Sequence, residues 1–181
     1  MLKKIIATAF PSVVIAAALA AAASVASAHV TLEQPEAPAG SSYKAVLKIG
    51  HGCDGSATTR LSVALPAGFR GAKPTPKAGW LLEVKRERLS APYESHGRQI
   101  SDEVVEVSWT AKAEEFYLQD AWYDEFIIRG GLPASAGALW FKVSQTCVKG
   151  ESLWVEVPAS GDSAKGLKMP AAKLLVVGAN R

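Results

Sequence analysis

The chain has 181 residues, with 20 Lys+Arg against 17 Asp+Glu and a formal net charge of +3. Two of those positive charges, Lys3 and Lys4, stand at the very start, so residues 29–181 are close to neutral; with no basic stripe, nucleic acid is excluded as a partner. A stretch of that length makes one ordinary domain, able to bury a core without extra staples.

In chain order, residues 1–28 read first as a secretory signal peptide. Lys3 and Lys4 form the basic start, Ile5 to Val25 the Ala-rich apolar run, and Ala26-Ser27-Ala28 the small-x-small cleavage pattern. The run is long enough to suggest a membrane anchor, but Pro11 interrupts it and Ala is only weakly apolar, so cleavage after Ala28 is expected. No later segment is apolar enough for a span, and the end, Gly178 to Arg181, shows no second anchor or sorting signal. The mature product is therefore expected to be soluble, with no membrane span.

Short alternating segments follow, broken by Gly, Pro, Asn and Asp. Ser42–Ile49, Thr59–Leu65, Trp80–Arg86, Glu103–Thr110, Asp124–Arg129, Ala138–Val143, Ser152–Val157 and Leu174–Val177 all read as strands. Lys73–Gly79 is a Pro-rich break. Ala111–Tyr123 reads as a helical or irregular excursion. Helical periodicity is weak elsewhere, and no repeat is visible. The expected fold is all-β: a single antiparallel β-sandwich, immunoglobulin- or cupredoxin-like, over residues 29–181. Trp109 and Trp140, in alternating strands, are expected in its core.

Cleavage after Ala28 would make His29 the first residue. Its free α-amine and imidazole Nδ1 can close a six-membered chelate ring, and two neutral nitrogen donors suit Cu(II) among common metals. A mid-chain histidine cannot do this. The chain has three histidines in all. His51 opens the Gly-rich loop His51-Gly52-Cys53-Asp54-Gly55 and reads either as a second ligand or as a turn histidine bonded to backbone. Asp54 reads as a ligand or as the natural turn residue before Gly55. His96, in Glu94-Ser95-His96-Gly97-Arg98, has turn composition and is expected to be exposed and inert. Glu33 and Glu36 lie near the new terminus, where acids are usually solvated. Two cysteines, Cys53 and Cys147, in an exported chain read as a disulfide, the alternative being a thiolate copper site. Such a bridge, closing a loop of roughly 95 residues, contributes about 4–5 kcal/mol in the chain-entropy model. With that bridge Trp154, just past Cys147, comes near the His51 loop and could shield a metal there. Gly-x-Ser-x-Gly, phosphate-loop and CxxC motifs are absent.

The chain also resembles the YcnI-like copper-binding proteins of bacteria. The resemblance rests on HVTLEQPEAPAGSSYKAVLKIGHGCDGSATTRLSVALPAGF from His29, then KPTPKAGW, ESHG, DEF and ALWFKVSQTCVKGESLW, which together span nearly the whole domain. It implies an exported β-sandwich holding Cu(II) by a single-histidine brace at His29, completed by a carboxylate and a tryptophan, here Trp154. The carboxylate does not carry over: Gram-positive members have a glutamate in the loop where this chain has His51-Gly52-Cys53-Asp54. They also look to carry a membrane-anchored tail that this chain lacks. The HGC form resembles the Gram-negative branch and implies the periplasm. The expectation is a non-enzymatic protein for copper storage, delivery or homeostasis, with the copper ion and a copper chaperone or acceptor protein as partners. His29, His51, Asp54 and Trp154 are its candidate metal residues. The competing readings are a copper-dependent oxidase or monooxygenase and a metal-free interaction domain.

Overall fold

The computed structural model describes residues 29–178, so the signal-peptide expectation for residues 1–28 lies outside the described residues. Eleven strands are described: β1 (Thr31–Leu32), β2 (Glu36–Pro38), β3 (Ser42–Ile49), β4 (Thr58–Ala64), β5 (Arg70–Pro74), β6 (Trp80–Ser95), β7 (Arg98–Ala111), β8 (Asp124–Gly131), β9 (Gly137–Cys147), β10 (Glu151–Trp154) and β11 (Ala172–Val177). They form a four-stranded sheet, β1-β3-β8-β5, and a larger sheet, β2-β11-β9-β4-β7-β6, with β10 also paired to β9. Pairing is antiparallel except where β2 joins β11 in parallel. No described helix is long and apolar enough to cross a membrane.

The alternation of the sequence becomes the core. Leu139, Phe141 and Val143 of β9 are buried, as are Ala45, Leu47 and Ile49 of β3 and Phe126 and Ile128 of β8. Phe126 sits between two indoles, its ring centroid 5.3 Å from those of Trp80 and Trp109 in edge-on geometry. Such pairs add about 0.5–1.5 kcal/mol each beyond the area they bury. The Trp109 indole N–H donates to Thr75 O at 3.0 Å. Trp140, expected inside, is only half-buried. It lies out of phase with Leu139 and Phe141, so the pleat turns it to the other face.

Several boundaries differ from the sequence pattern. Trp80–Arg86 and Glu103–Thr110 are the inner parts of one long hairpin, β6–β7, whose outer residues are largely exposed and therefore need not alternate. Its tip is a two-residue turn, His96-Gly97, both at positive φ (49° and 70°), the backbone of a type I′ turn. Strand β5 was hidden by Gly71 and Pro74, and its pairing with β8 shifts register between Arg70 and Lys73. Ala111–Tyr123 is irregular, with a single 3-10 turn at Glu114–Phe116. Ser152–Val157 shortens to β10, and β1 and β2 are too short to announce themselves.

Candidate metal centre

Three pieces of backbone meet at one end of the sandwich. Strand β1 pairs with β3 through Thr31↔Lys48 and Leu32↔Leu47. Carried outward, that register brings His29 level with Gly50, next to His51. Strand β10 pairs with β9, placing Trp154 opposite Val143. The His51 loop is tied down from both sides. Cys53 is disulfide-bonded to Cys147, across a sequence separation of 94. The Gly52 N–H donates to Asp120 Oδ1 at 2.9 Å.

Both imidazoles stand edge-on to one indole. The His29 ring centroid is 5.5 Å from that of Trp154 and the His51 centroid 6.2 Å. Both histidines are half-buried, whereas Trp154 is buried. Gln145 ties the indole to the loop from below. Its side-chain carbonyl accepts the Trp154 indole N–H at 3.2 Å, and its amide donates to His51 O at 2.8 Å and to Thr58 Oγ1 at 2.7 Å. Gln145 is 1% exposed, and its bonds to Trp154 and Thr58 are buried, while the one to His51 O is part-buried.

His51 Nδ1 lies 2.5 Å from Gly52 O. A backbone carbonyl there holds the proton on Nδ1 and places the lone pair on Nε2. This is how proteins orient histidines that bind metal. Asp54 is elsewhere. With Gly55 it forms a tight turn, φ 48° and 81°, closed by Cys53 N–H to Ser56 O and Ser56 N–H to Cys53 O. It is exposed and lines a shallow depression with Val148 and Lys149, while the indole contacts gather His29 and His51. Asp54-Gly55 is thus explained as a turn. The sequence reading missed Asp120 and Gln145. Asp120 lies 68 residues from its partner Gly52 in an irregular segment with no motif, and Gln145 carried a signal only as the polar residue at an inward position of an alternating strand. Glu33 and Glu36 are exposed, as expected.

Among the described residues, no three His, Cys, Asp or Glu side chains cluster as a metal site. A terminal brace needs no such cluster, because the α-amine and one imidazole come from a single residue. The donors present are two imidazoles with an orienting carbonyl behind one of them, and this set fits Cu(II).

A family model described as a domain of unknown function, DUF1775, matches residues 29–176. Among solved structures, an uncharacterized protein from Nocardia farcinica with an immunoglobulin-like fold is 25% identical with a TM-score of 0.61, covering 82% of this chain and 97% of that one. No curated protein matches the chain.

Proposed function

The chain belongs to the DUF1775 family, and on that premise we propose that it is an exported, periplasmic protein that binds one copper ion, chiefly Cu(II), at the end of its β-sandwich. His29 supplies the amine freed by cleavage after Ala28 and its imidazole Nδ1. His51 supplies Nε2, and Trp154 closes one side of the site. The observation that carries this reading is the convergence of His29 and His51 on the single indole of Trp154. It adds to the resemblance to the YcnI-like proteins, whose site also joins a terminal histidine to a tryptophan. The role is storage, delivery or homeostasis rather than turnover, with a copper chaperone or acceptor protein as partner.

The test is Cu(II) electron paramagnetic resonance on protein beginning at His29, beside protein with one residue added before it. The expected result is nitrogen hyperfine structure that changes on extension, because the amine leaves the chelate, together with an affinity loss of at least tenfold. Identical spectra and affinities would make His29 incidental. Oxidised sugar products formed with a reductant would instead establish a monooxygenase.

A further inference from the structure

The opposite end of the small sheet carries a different arrangement. Arg129 in β8 is directly opposite Lys44 of β3 on one side and Lys73 of β5 on the other. Directly opposed residues share a face of the sheet, so three cations stand side by side across three strands. All three are exposed. Arg70 joins them where β5 begins. The ion pairs among the described residues belong to Arg60, Lys77, Lys85, Arg86 and Lys173, and none to this row. Like charges directly opposite one another destabilise a sheet.

The row borders a cavity of about 560 Å³ lined by Arg70, Lys73, Arg129, Gly130 and Gly131. The long β6–β7 hairpin forms its far wall. Tyr93 of that hairpin lies beneath Arg70, whose guanidinium carbon is 4.2 Å from the ring centroid. The buried carboxylate of Glu103, behind Gly71 and Tyr93 of the lining, is already engaged: it accepts the Gly71 N–H at 3.1 and 3.2 Å and the Tyr93 hydroxyl. It therefore fixes β5 against the hairpin, and Arg70 is held in place before any ligand arrives. The Ser42 side of the rim lies seven residues along β3 from Ile49, roughly 23 Å at 3.3 Å per residue, so this cleft is separate from the His29–Trp154 site.

We infer that the cleft bounded by Arg70, Lys73 and Arg129 is a binding site for a phosphate-bearing anion. A lone carboxylate satisfies one arginine fork, whereas phosphate oxygens carry more than one negative charge and point in several directions, which suits cations converging from neighbouring strands. The cavity volume lies within the range of small-molecule sites. The shared chemistry is the phosphate group, carried either by a small soluble phosphate ester or by an anionic lipid headgroup.

The probe is pyrophosphate, titrated calorimetrically into the purified metal-free protein at low salt, beside Lys73→Thr and Arg129→Thr. The expected result is saturable one-to-one binding that each substitution weakens at least tenfold and that rising salt weakens further. Both variants are expected to melt no lower than the wild type in phosphate-free buffer, since each removes a like-charge neighbour from an exposed strand position, and to keep the Cu(II) spectrum unchanged. Sedimentation with phosphatidylglycerol vesicles, in competition with pyrophosphate, identifies the source. Vesicle binding displaced by pyrophosphate assigns a headgroup, and pyrophosphate binding without vesicle binding assigns a soluble ester; either supports the site. Absence of saturable binding to both probes, or pyrophosphate binding that neither substitution alters, would overturn it. The copper reading stands or falls independently, because its residues are untouched.

Discussion

A Cβ added at Gly52 would stand 1.8 Å from Ser56 O and 3.4 Å from Asp120 Oδ1. The nearer atom is backbone within a closed turn and cannot swing away. Gly52→Ala is therefore expected to displace the His51 loop, lower the melting temperature by several degrees and weaken Cu(II) binding together with it; an unchanged melting curve would show that the loop yields easily. Gln145 is the second residue on which the site depends. Replacing it with Leu leaves the Trp154 indole N–H and the Thr58 hydroxyl without this partner in a buried place, at about 1–3 kcal/mol for each group stranded, and removes the part-buried bond to His51 O. Gln145→Leu is expected to be among the most destabilising single changes in β9, read by chemical denaturation. A loss smaller than that of an exposed substitution such as Lys142→Leu would mean that the network contributes little. Neither role is visible in the residue type, since a glycine in a Gly-rich loop and a glutamine in a strand are both ordinary.

Two tyrosines fasten elements to one another. Tyr43 of β3 donates to Gln34 O at 2.6 Å, holding the segment between β1 and β2. Tyr93 of β6 donates to Glu103 of β7. Burial first, and then the charge of Glu33, pushes the Tyr43 phenol up to about 12. Burial, and then the bond to Glu103, does the same for Tyr93, also about 12. In an unfolded chain both would ionise near 10. The folded state therefore keeps protons that the unfolded state loses, so stability is fully present below pH 10 and is lost as pH rises from about 10 to 12. Tyr43→Phe is expected to melt lower than the wild type at pH 8, where it lacks the bond to Gln34, yet to lose less on going from pH 10 to 12. Parallel melting curves for the two proteins across that window would refute the assignment. At this scale the sequence pattern was legible where strands have one wet and one buried face. Strand β3 matches its pattern end to end. Strands β6 and β7 outran theirs because alternation marks burial, and the outer hairpin is not buried on either face.

For the molecule as a whole, the Cys53–Cys147 bond ties the loop after β3, in one sheet, to the end of β9, in the other. It closes most of the domain into one loop, which in the chain-entropy model restricts the unfolded state by about 4–5 kcal/mol. It also fixes the position of the His51 loop. Reduction under non-denaturing conditions is expected to lower the melting temperature and to weaken Cu(II) binding, measured on protein whose thiols are then blocked. Retained affinity in a destabilised protein would separate the bond's role in stability from any role in the site.

The sequence by itself determined the fold class, the core face of most strands, the disulfide and the turn character of Asp54-Gly55 and His96-Gly97. The strand pattern and the turns are local, because a two-residue side-chain period and residues that tolerate positive φ are written within a few positions of where they act; the disulfide, though it spans 94 residues, was legible because the chain has two cysteines. The sequence pointed to His29, His51 and Trp154 as candidates for one site, but only the tertiary structure decided that both imidazoles meet the Trp154 indole, that Asp120 and Gln145 hold the His51 loop and that indole, and that Lys44, Arg129 and Lys73 form a row. Those depend on strand register and on contacts between residues tens of positions apart, and register is set by the fit of two whole sheets rather than by any short stretch of chain.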